Sequence, residues 1–360
     1  MKKLNLLLSS LLIALTFNVE AKSPPPGTGK ADVPANIYIM LDNSGSMGWA
    51  QTSKGTVYYP WDLALDSSGN SYVTSYHYNY LRKFDTNGKF IRTIGRYGSS
   101  NGQFRYPTMV VTDSNDNIYV IDSSSNNGSS RVQKFNTNGT WLKTYTGFSG
   151  IVAIAVDSSN NLYAASRTQI RKWNSSGTVL STTSAGKNIY GMSAYGGSIY
   201  VVARSSYEIR KYSDTLSLQS TWPLSGNTDP WDIEVTSKGI YVNSRYSSKI
   251  QKYALSNGAY EKQCGSYGSG NGQFRYLYGI GSDASGHIYG GSYYDHKVKK
   301  YDFDCVYKED LGGPSVTGMT EAKKVLKKLL SNSDMTRGAN FGLQMWNSSA
   351  TQREKVSTTG

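Results

Sequence analysis

Short apolar runs alternate with turns of Ser, Asn, Gly and Asp along most of the chain, and the alternation recurs. A first apolar strand ends near an Asp, a polar turn follows, and a second strand reads Ile-Tyr-Val or a close variant. The copies run Leu63-Ala64-Leu65-Asp66 then Ser71-Tyr72-Val73, Val110-Val111-Thr112-Asp113 then Ile118-Tyr119-Val120, and Ile154-Ala155-Val156-Asp157 then Leu162-Tyr163-Ala164. They continue as Met192-Ser193-Ala194-Tyr195 then Ile199-Tyr200-Val201, Ile233-Glu234-Val235-Thr236 then Ile240-Tyr241-Val242, and Ile280-Gly281-Ser282-Asp283 then Ile288-Tyr289-Gly290. From Asp66 to Asp283 the equivalent positions lie 47, 44, 38, 41 and 47 residues apart. β-Branched and aromatic residues in short alternating runs bounded by turn formers predict strands.

Each unit adds a third strand of aliphatic, any residue, basic, aromatic: Leu81-Arg82-Lys83-Phe84, Val132-Gln133-Lys134-Phe135, Ile170-Arg171-Lys172-Trp173, Ile209-Arg210-Lys211-Tyr212, Ile250-Gln251-Lys252-Tyr253 and Val298-Lys299-Lys300-Tyr301. A fourth strand follows, as in Phe90-Ile91-Arg92-Thr93-Ile94. Four strands at a period of about 40–45 residues describe one propeller blade, and six such units predict a six-bladed β-propeller. The units resemble NHL repeats. The resemblance rests on the return Asn101-Gly102-Gln103-Phe104, nearly repeated at Asn271-Gly272-Gln273-Phe274, the turn Asp66-Ser67-Ser68-Gly69-Asn70, and the Ile250-Gln251-Lys252-Tyr253 strand. It covers residues 55–312, and Tyr195 and Thr236 depart from it where the other units have Asp.

The flanks follow a different pattern. The apolar strand Ile37-Tyr38-Ile39-Met40-Leu41 leads into Asp42-Asn43-Ser44-Gly45-Ser46-Met47. Three side-chain oxygens at alternating positions, Asp42, Ser44 and Ser46, suit a hard divalent cation, Mg²⁺ first and Mn²⁺ or Ca²⁺ as alternatives. The competing reading is a plain Ser/Gly turn. Beyond Gly312-Gly313-Pro314, residues 319–330 place Ala322, Val325, Leu326, Leu329 and Leu330 on one helix face, with Glu321 early and Lys327 and Lys328 late, in accord with the helix dipole. The stretch Asn340-Phe341-Gly342-Leu343-Gln344-Met345-Trp346 reads as another buried strand. Joined across the propeller, the flanks resemble the opening of a von Willebrand factor A domain, in the form found in bacterial type IV pilus tip adhesins of the PilY kind. That resemblance implies a metal-ion-dependent adhesion site. Its later Thr and Asp ligands find no place here, which suggests a fragment of a longer protein.

The expected fold is therefore mainly β, a six-bladed NHL-like propeller inserted in a partial α/β von Willebrand factor A domain. Residues 1–21 form a signal peptide, with Lys2 and Lys3 before an apolar core and Ala21 at its end. Residues 22–35 are a linker, 36–48 and 315–360 the two parts of the A domain, and 55–312 the propeller. Export predicts a secreted or cell-surface location: the bacterial periplasm, outer surface or a pilus. No later segment is apolar enough to span a bilayer. The composition, with 29 Tyr, 37 Gly and 18% charged residues, suits many strands and polar turns. A formal charge of +13 favours anionic surfaces, and in an exported protein these are glycans, protein ligands or lipid headgroups rather than nucleic acid. Cys264 and Cys305 either form a disulfide or remain separate thiols. Their strands place them toward opposite faces of the ring, which weighs against pairing.

Candidate binding residues gather in the loops before the third strands: Tyr76, His77, Tyr78, Arg131, Arg167, Arg204, Tyr207, Arg245, Tyr246, Tyr293, Tyr294 and His296. Equivalent loops lie on one face of a ring. Aromatic faces stack on sugars, and Arg binds carboxylates or sulfates in a forked geometry. The six third-strand lysines are expected to cover aromatic surface with their charge in water. The three histidines, His77, His287 and His296, fall in two loop classes, so a three-histidine centre is not expected and neither is an enzyme. The sequence thus predicts an exported adhesion or binding protein, pilus-associated, with pilus subunits among its partners. The alternatives are a surface-appendage scaffold and a propeller lyase or lactonase.

Overall fold

The computed structural model describes residues 36–42, 58–123, 130–227, 229–311, 340–347 and 350–355. The signal peptide, the linker, Ser44, Ser46 and the helix expected at 319–330 lie outside these residues. The chain divides into two compact units, one of residues 1–44 with 322–360 and one of 45–321. In the smaller unit Asn36–Asp42 pairs in parallel with Asn340–Asn347, Asn36 opposite Asn340 and Asp42 opposite Trp346, and Ala350–Lys355 adds an antiparallel strand. The two flanks therefore share one sheet. A von Willebrand factor A domain is not shown by it.

The larger unit is a six-bladed β-propeller. Each blade is a four-stranded antiparallel sheet drawn from one continuous segment. Blade one uses Pro60–Leu65, Ser71–Ser75, Tyr80–Phe84 and Phe90–Ile94. The inner strands of blades two to six are Pro107–Thr112, Ala153–Val156, Ile189–Tyr195, Pro230–Thr236 and Leu277–Ser282. Among the described residues no strand is exchanged between the first and last blades, and the two meet by packing. Gly291 of blade six lies against Pro60, and Gly281 against the Leu63 carbonyl. The structure is mainly β, and among the described residues its helical content is a 3-10 turn at Tyr293–Asp295.

Burial falls off from axis to rim. The second strand Ile118–Asp122 is buried throughout, because neighbouring blades cover both of its faces. The outermost strand Val179–Ser184 has no buried residue. Apolar clusters span adjacent blades: Ala64, Tyr72, Leu81 and Phe104 pack with Val110, Ile118, Val120 and Phe135. Phe104 and Phe274, from the two Gly-rich returns, are completely buried.

The repeated Asp, Tyr and Lys form one fastening. Asp113 Oδ1 accepts from the backbone N–H of Asn115 and Asn117 (3.0 and 2.8 Å), closing the first turn of blade two. Its Oδ2 accepts from Tyr119 Oη (3.1 Å) and pairs with Lys134 Nζ (3.0 Å). The same ammonium lies 4.8 Å from the Tyr119 ring centroid. Asp66, Tyr72 and Lys83 repeat this in blade one, and Asp283, Tyr289 and Lys300 in blade six. In blade three Lys172 instead donates to the Asp214 carbonyl of the next blade (2.9 Å). These lysines are thus not solvated charges as expected. A buried carboxylate needs a counter-charge, and the Lys head turns inward to supply it.

The expected separation of the cysteines is also corrected. Cys264 and Cys305 are bonded, with Cα atoms 4.6 Å apart. The turn between the third and fourth strands of blade six laps over the outer part of blade five instead of lying beyond its edge. Tyr241 Oη donates to the Phe303 carbonyl (2.9 Å), and Lys262 Nζ meets Asp304 (3.1 Å), beside the disulfide.

Candidate ligand-binding rim and axial cavity

In a four-stranded blade the loops between second and third strands emerge on the same face as the links from one blade to the next. Both loop sets converge on the axial mouth, and the links bring residues that the loops alone do not reveal. One residue into each inner strand stands Trp61, Thr108, Tyr190, Trp231 or Tyr278, in blades one, two, four, five and six. Trp61 stacks between Tyr76 (4.6 Å, 22°) and Tyr278 (4.2 Å, 22°). Tyr278 meets Trp231 at 5.8 Å, and Trp231 meets Tyr190 at 4.9 Å. Tyr106 extends the ladder beyond Tyr76 at 4.9 Å. All of these rings are half-buried, so each keeps part of its surface open at the mouth.

Arginines overlie the blade-four and blade-five part of the ladder. The Arg245 guanidinium lies 3.9 Å from the Trp231 ring centroid and 4.0 Å from that of Tyr246. Arg204 lies 5.0 Å from Tyr190 and 5.5 Å from Trp231, and Arg167 lies 4.8 Å from Tyr190. Asp229, buried at the start of the blade-five inner strand, holds both neighbours: Arg204 Nη2 is on one oxygen and Arg245 Nε is 3.4 Å from the other. The Arg245 contact is an ion pair without hydrogen-bond geometry, and its Nε has no hydrogen-bond partner among the described residues. Burial raises the Tyr190 phenol, but the hydrogen bonds and charges of Arg167 and Arg204 outweigh it and lower its pKa.

The other expected face residues are distributed as follows. Tyr76, Arg167, Arg204, Arg245 and Tyr246 belong to the rim just described. Tyr293 is buried against Tyr278 and Tyr59 (both 5.0 Å), and Tyr294 is exposed beside it. Tyr78 and Tyr207 are exposed, Tyr78 against Tyr58 at 5.5 Å. Arg131 is drawn away: it pairs with Asp122 (2.8 Å) and donates to the Ser100 and Gln103 carbonyls, bracing the Gly-rich return. Asp42 ends its strand in the smaller unit. His77 and His296 both meet Tyr59, at 6.0 and 4.4 Å. Tyr59 N–H donates to His296 Nδ1 (3.0 Å) and burial lowers the imidazole pKa, so its neutral form carries the proton on Nε2. His287 is elsewhere, paired with Asp283 in a turn between first and second strands. Among the described residues no group of three His, Cys, Asp or Glu is arranged to hold a metal, and no helix is long and apolar enough to cross a membrane.

Trp61, Tyr190, Trp231 and Tyr278 escaped the sequence reading. For the two tryptophans the signal was the tripeptide Pro-Trp-Asp, present at Pro60-Trp61-Asp62 and again at Pro230-Trp231-Asp232, whereas the tyrosines stand in Ile189-Tyr190-Gly191 and Leu277-Tyr278-Gly279. The tripeptide's aspartates point the other way from the tryptophans, toward a cavity of about 160 Å³ on the axis. Asp62 Oδ2 accepts from Val110 N–H of the next blade (2.8 Å), and Asp232 Oδ2 from Ile280 N–H (3.1 Å). The opposite neighbours are glycines for a steric reason: a Cβ on Gly279 would fall 2.1 Å from Asp62 Oδ1, and one on Gly191 2.5 Å from the Asp232 Cα. Glu234 lines the same cavity and accepts from Ser282 Oγ (2.5 Å) and Ser193 Oγ (3.3 Å). Burial pushes Glu234 up to about 7 and Asp232 up to about 8. It also raises Asp62 well above the usual carboxylate range, with the Asp232 charge adding to the effect. The buried Asp62 Oδ1 has no hydrogen-bond partner among the described residues.

No protein-family model matches the chain, and no curated protein sequence matches it. Solved structures match in fold. A streptogramin B lyase superposes with a TM-score of 0.51 at 14% identity, over 72% of this chain and 85% of that one. The virginiamycin B lyase of Staphylococcus aureus gives a TM-score of 0.52 at 10% identity, over 73% and 85%. U3-55K gives 0.55 at 12% identity, over 72% and 84%. At these identities the likeness concerns the fold. It nevertheless corrects the expectation that the chain is not an enzyme: propellers that superpose on this one include lyases, so the scattered histidines do not exclude catalysis. What this chain shares with those proteins is the β-propeller fold.

Proposed function

We propose that the propeller is a binding module for acidic saccharides, with the ligand laid across the rim of Trp61, Tyr278, Trp231 and Tyr190. The observation that carries this reading is the aromatic ladder joined to Arg204 and Arg245 at the axial mouth. The half-buried rings offer partly open apolar surface against which a pyranose can pack. Arg245 is held by ring contacts and a loose ion pair, which orient its guanidinium for an incoming carboxylate. Calorimetry of the full chain with acidic oligosaccharides and their neutral counterparts tests the reading. The acidic ligands should bind more tightly, and Arg204→Ala with Arg245→Ala should cost at least about tenfold per charge-assisted contact. Equal affinity for both ligand classes, or unchanged affinity in the double variant, would sink it.

The same proposal places the protein outside the cell, exported by residues 1–21, with adhesion to surface glycans or proteins and association with a pilus as its wider role. Asp42, Ser44 and Ser46 would hold Mg²⁺ and bind a partner carboxylate through it. The supporting observations are the sequence of that loop and the parallel pairing of the strand before it. Adhesion that keeps its Mg²⁺ dependence in Asp42→Ala would refute the metal role.

A further inference from the structure

We propose that the rim also cleaves its ligand: Tyr190, held between Arg167 and Arg204 and joined to Arg245 through the Trp231 ring, removes the proton α to the carboxylate of a uronic-acid residue and eliminates the oxygen linked at C4. This rests on the acidic-saccharide reading of the rim and extends it to a reaction.

The placement of charge supports it. A C–H next to a carboxylate is a weak acid because its removal turns a monoanion into a dianionic enolate. A catalyst must therefore favour the second negative charge over the first. Among the described residues of the ladder, Arg167, Arg204 and Arg245 stand with the carboxylate of Asp229, an excess of two positive charges within this cluster. Asp229 binds Arg204 and Arg245 from below and fixes their planes, while Trp231 supports both guanidiniums and the Tyr190 ring. Arg167 Nη1 donates to Tyr190 Oη, so the phenolate formed on losing the proton has a permanent counter-charge. The lowered phenol pKa agrees with this placement.

The step balances without a co-reactant. The Tyr190 phenolate takes the C5 proton, and the electron pair passes into the carboxylate held by Arg245 and Arg204. As the enolate collapses the C4–O bond breaks and a C4=C5 double bond forms. The proton now on Tyr190 passes to the departing oxygen, and the phenolate is regenerated. The products are an unsaturated uronate and a free hydroxyl end.

The test incubates the full chain with polygalacturonate, alginate and a glucuronate-containing glycan, following the ultraviolet absorbance of the new conjugated double bond, with calorimetry on the same ligands. Absorbance should rise with at least one polymer, and faster as pH rises through the phenol pKa. Tyr190→Phe should slow it by about 100-fold or more while affinity changes little. Arg167→Ala should shift the pH profile upward, a change that damage to the fold alone would not produce. Binding without any absorbance change overturns the elimination and leaves the binding reading standing. A wild-type rate in Tyr190→Phe overturns the assignment of the base. No binding to any acidic polymer removes the reading on which both rest.

Discussion

Blades two and five share a backbone plan and are fastened in different ways. Blade two closes on itself: Asp113 ties its own first turn, its own Tyr119 and its own Lys134. Blade five has Thr236 at the Asp position. Its Lys252 turns to Glu261 on its outer strand (3.2 Å), and its Tyr241 hydroxyl reaches the Phe303 carbonyl of blade six. The disulfide from Cys264 joins the same neighbour. Toward the axis the contrast reverses. Blade two presents Met109 and Val111 to the cavity, blade five Asp232 and Glu234. Where the repeat keeps its consensus, the residues hold the fold. Where it departs, in blades four and five, Arg204, Arg245, two of the three axial acids and the lowered phenol of Tyr190 collect.

The largest test of this contrast is Asp113→Ala. It strands Lys134 and the Tyr119 hydroxyl in a buried site and should cost about 3–5 kcal/mol, read by urea unfolding. Thr236→Ala, at the equivalent position of blade five, should stay under about 1 kcal/mol. Equal losses would show that the fastening is not blade-specific. Next in size, Cys264→Ser with Cys305→Ser opens a link spanning 41 residues and should cost about 2–5 kcal/mol. A negligible loss would mean that blade five is held without the staple.

The two blades should also respond oppositely to pH. Asn117 and Lys134 lower the Asp113 pKa below its ordinary value against the effect of burial. Its contribution is therefore present above the unfolded carboxylate pKa and lost as pH falls through the lower folded value. Glu234 and Asp232 are raised to about 7 and about 8, so the folded state holds their protons more tightly than the unfolded state does. Their contribution is present below the unfolded pKa and lost as pH rises through 7 to 8. Thermal unfolding should show stability falling from the ordinary carboxylate range up to pH 7 to 8 and levelling above it, and Asp232→Asn should flatten the fall. A fall of wild-type steepness in that variant would move its cause away from the axis. The smallest effect on folding is expected for Trp231→Ala, whose ring is half-buried. It should weaken acidic-saccharide binding by about tenfold or more, whereas Trp141→Ala, on the exposed outer strand of blade two, should leave binding unchanged.

The sequence by itself determined the six blades, their four strands and the loops that share a face. These follow from contacts within a short stretch of chain: apolar alternation, a turn capped by its own Asp, a Tyr and a Lys at constant spacing. A local code of this kind is legible one unit at a time. Only the tertiary structure decided what the ring brings together. Trp61 and Tyr278 stack because the first blade closes on the last, and Asp62 and Asp232 influence each other because both inner strands face one axis. Arg131 has the same sequence credentials as Arg204, but Asp122 and two carbonyls of a neighbouring return claim it first. Cys264 and Cys305 bond because one blade's turn laps over the next. Each of these outcomes depends on ring closure and on the stagger between blades, and neither is written in any single repeat.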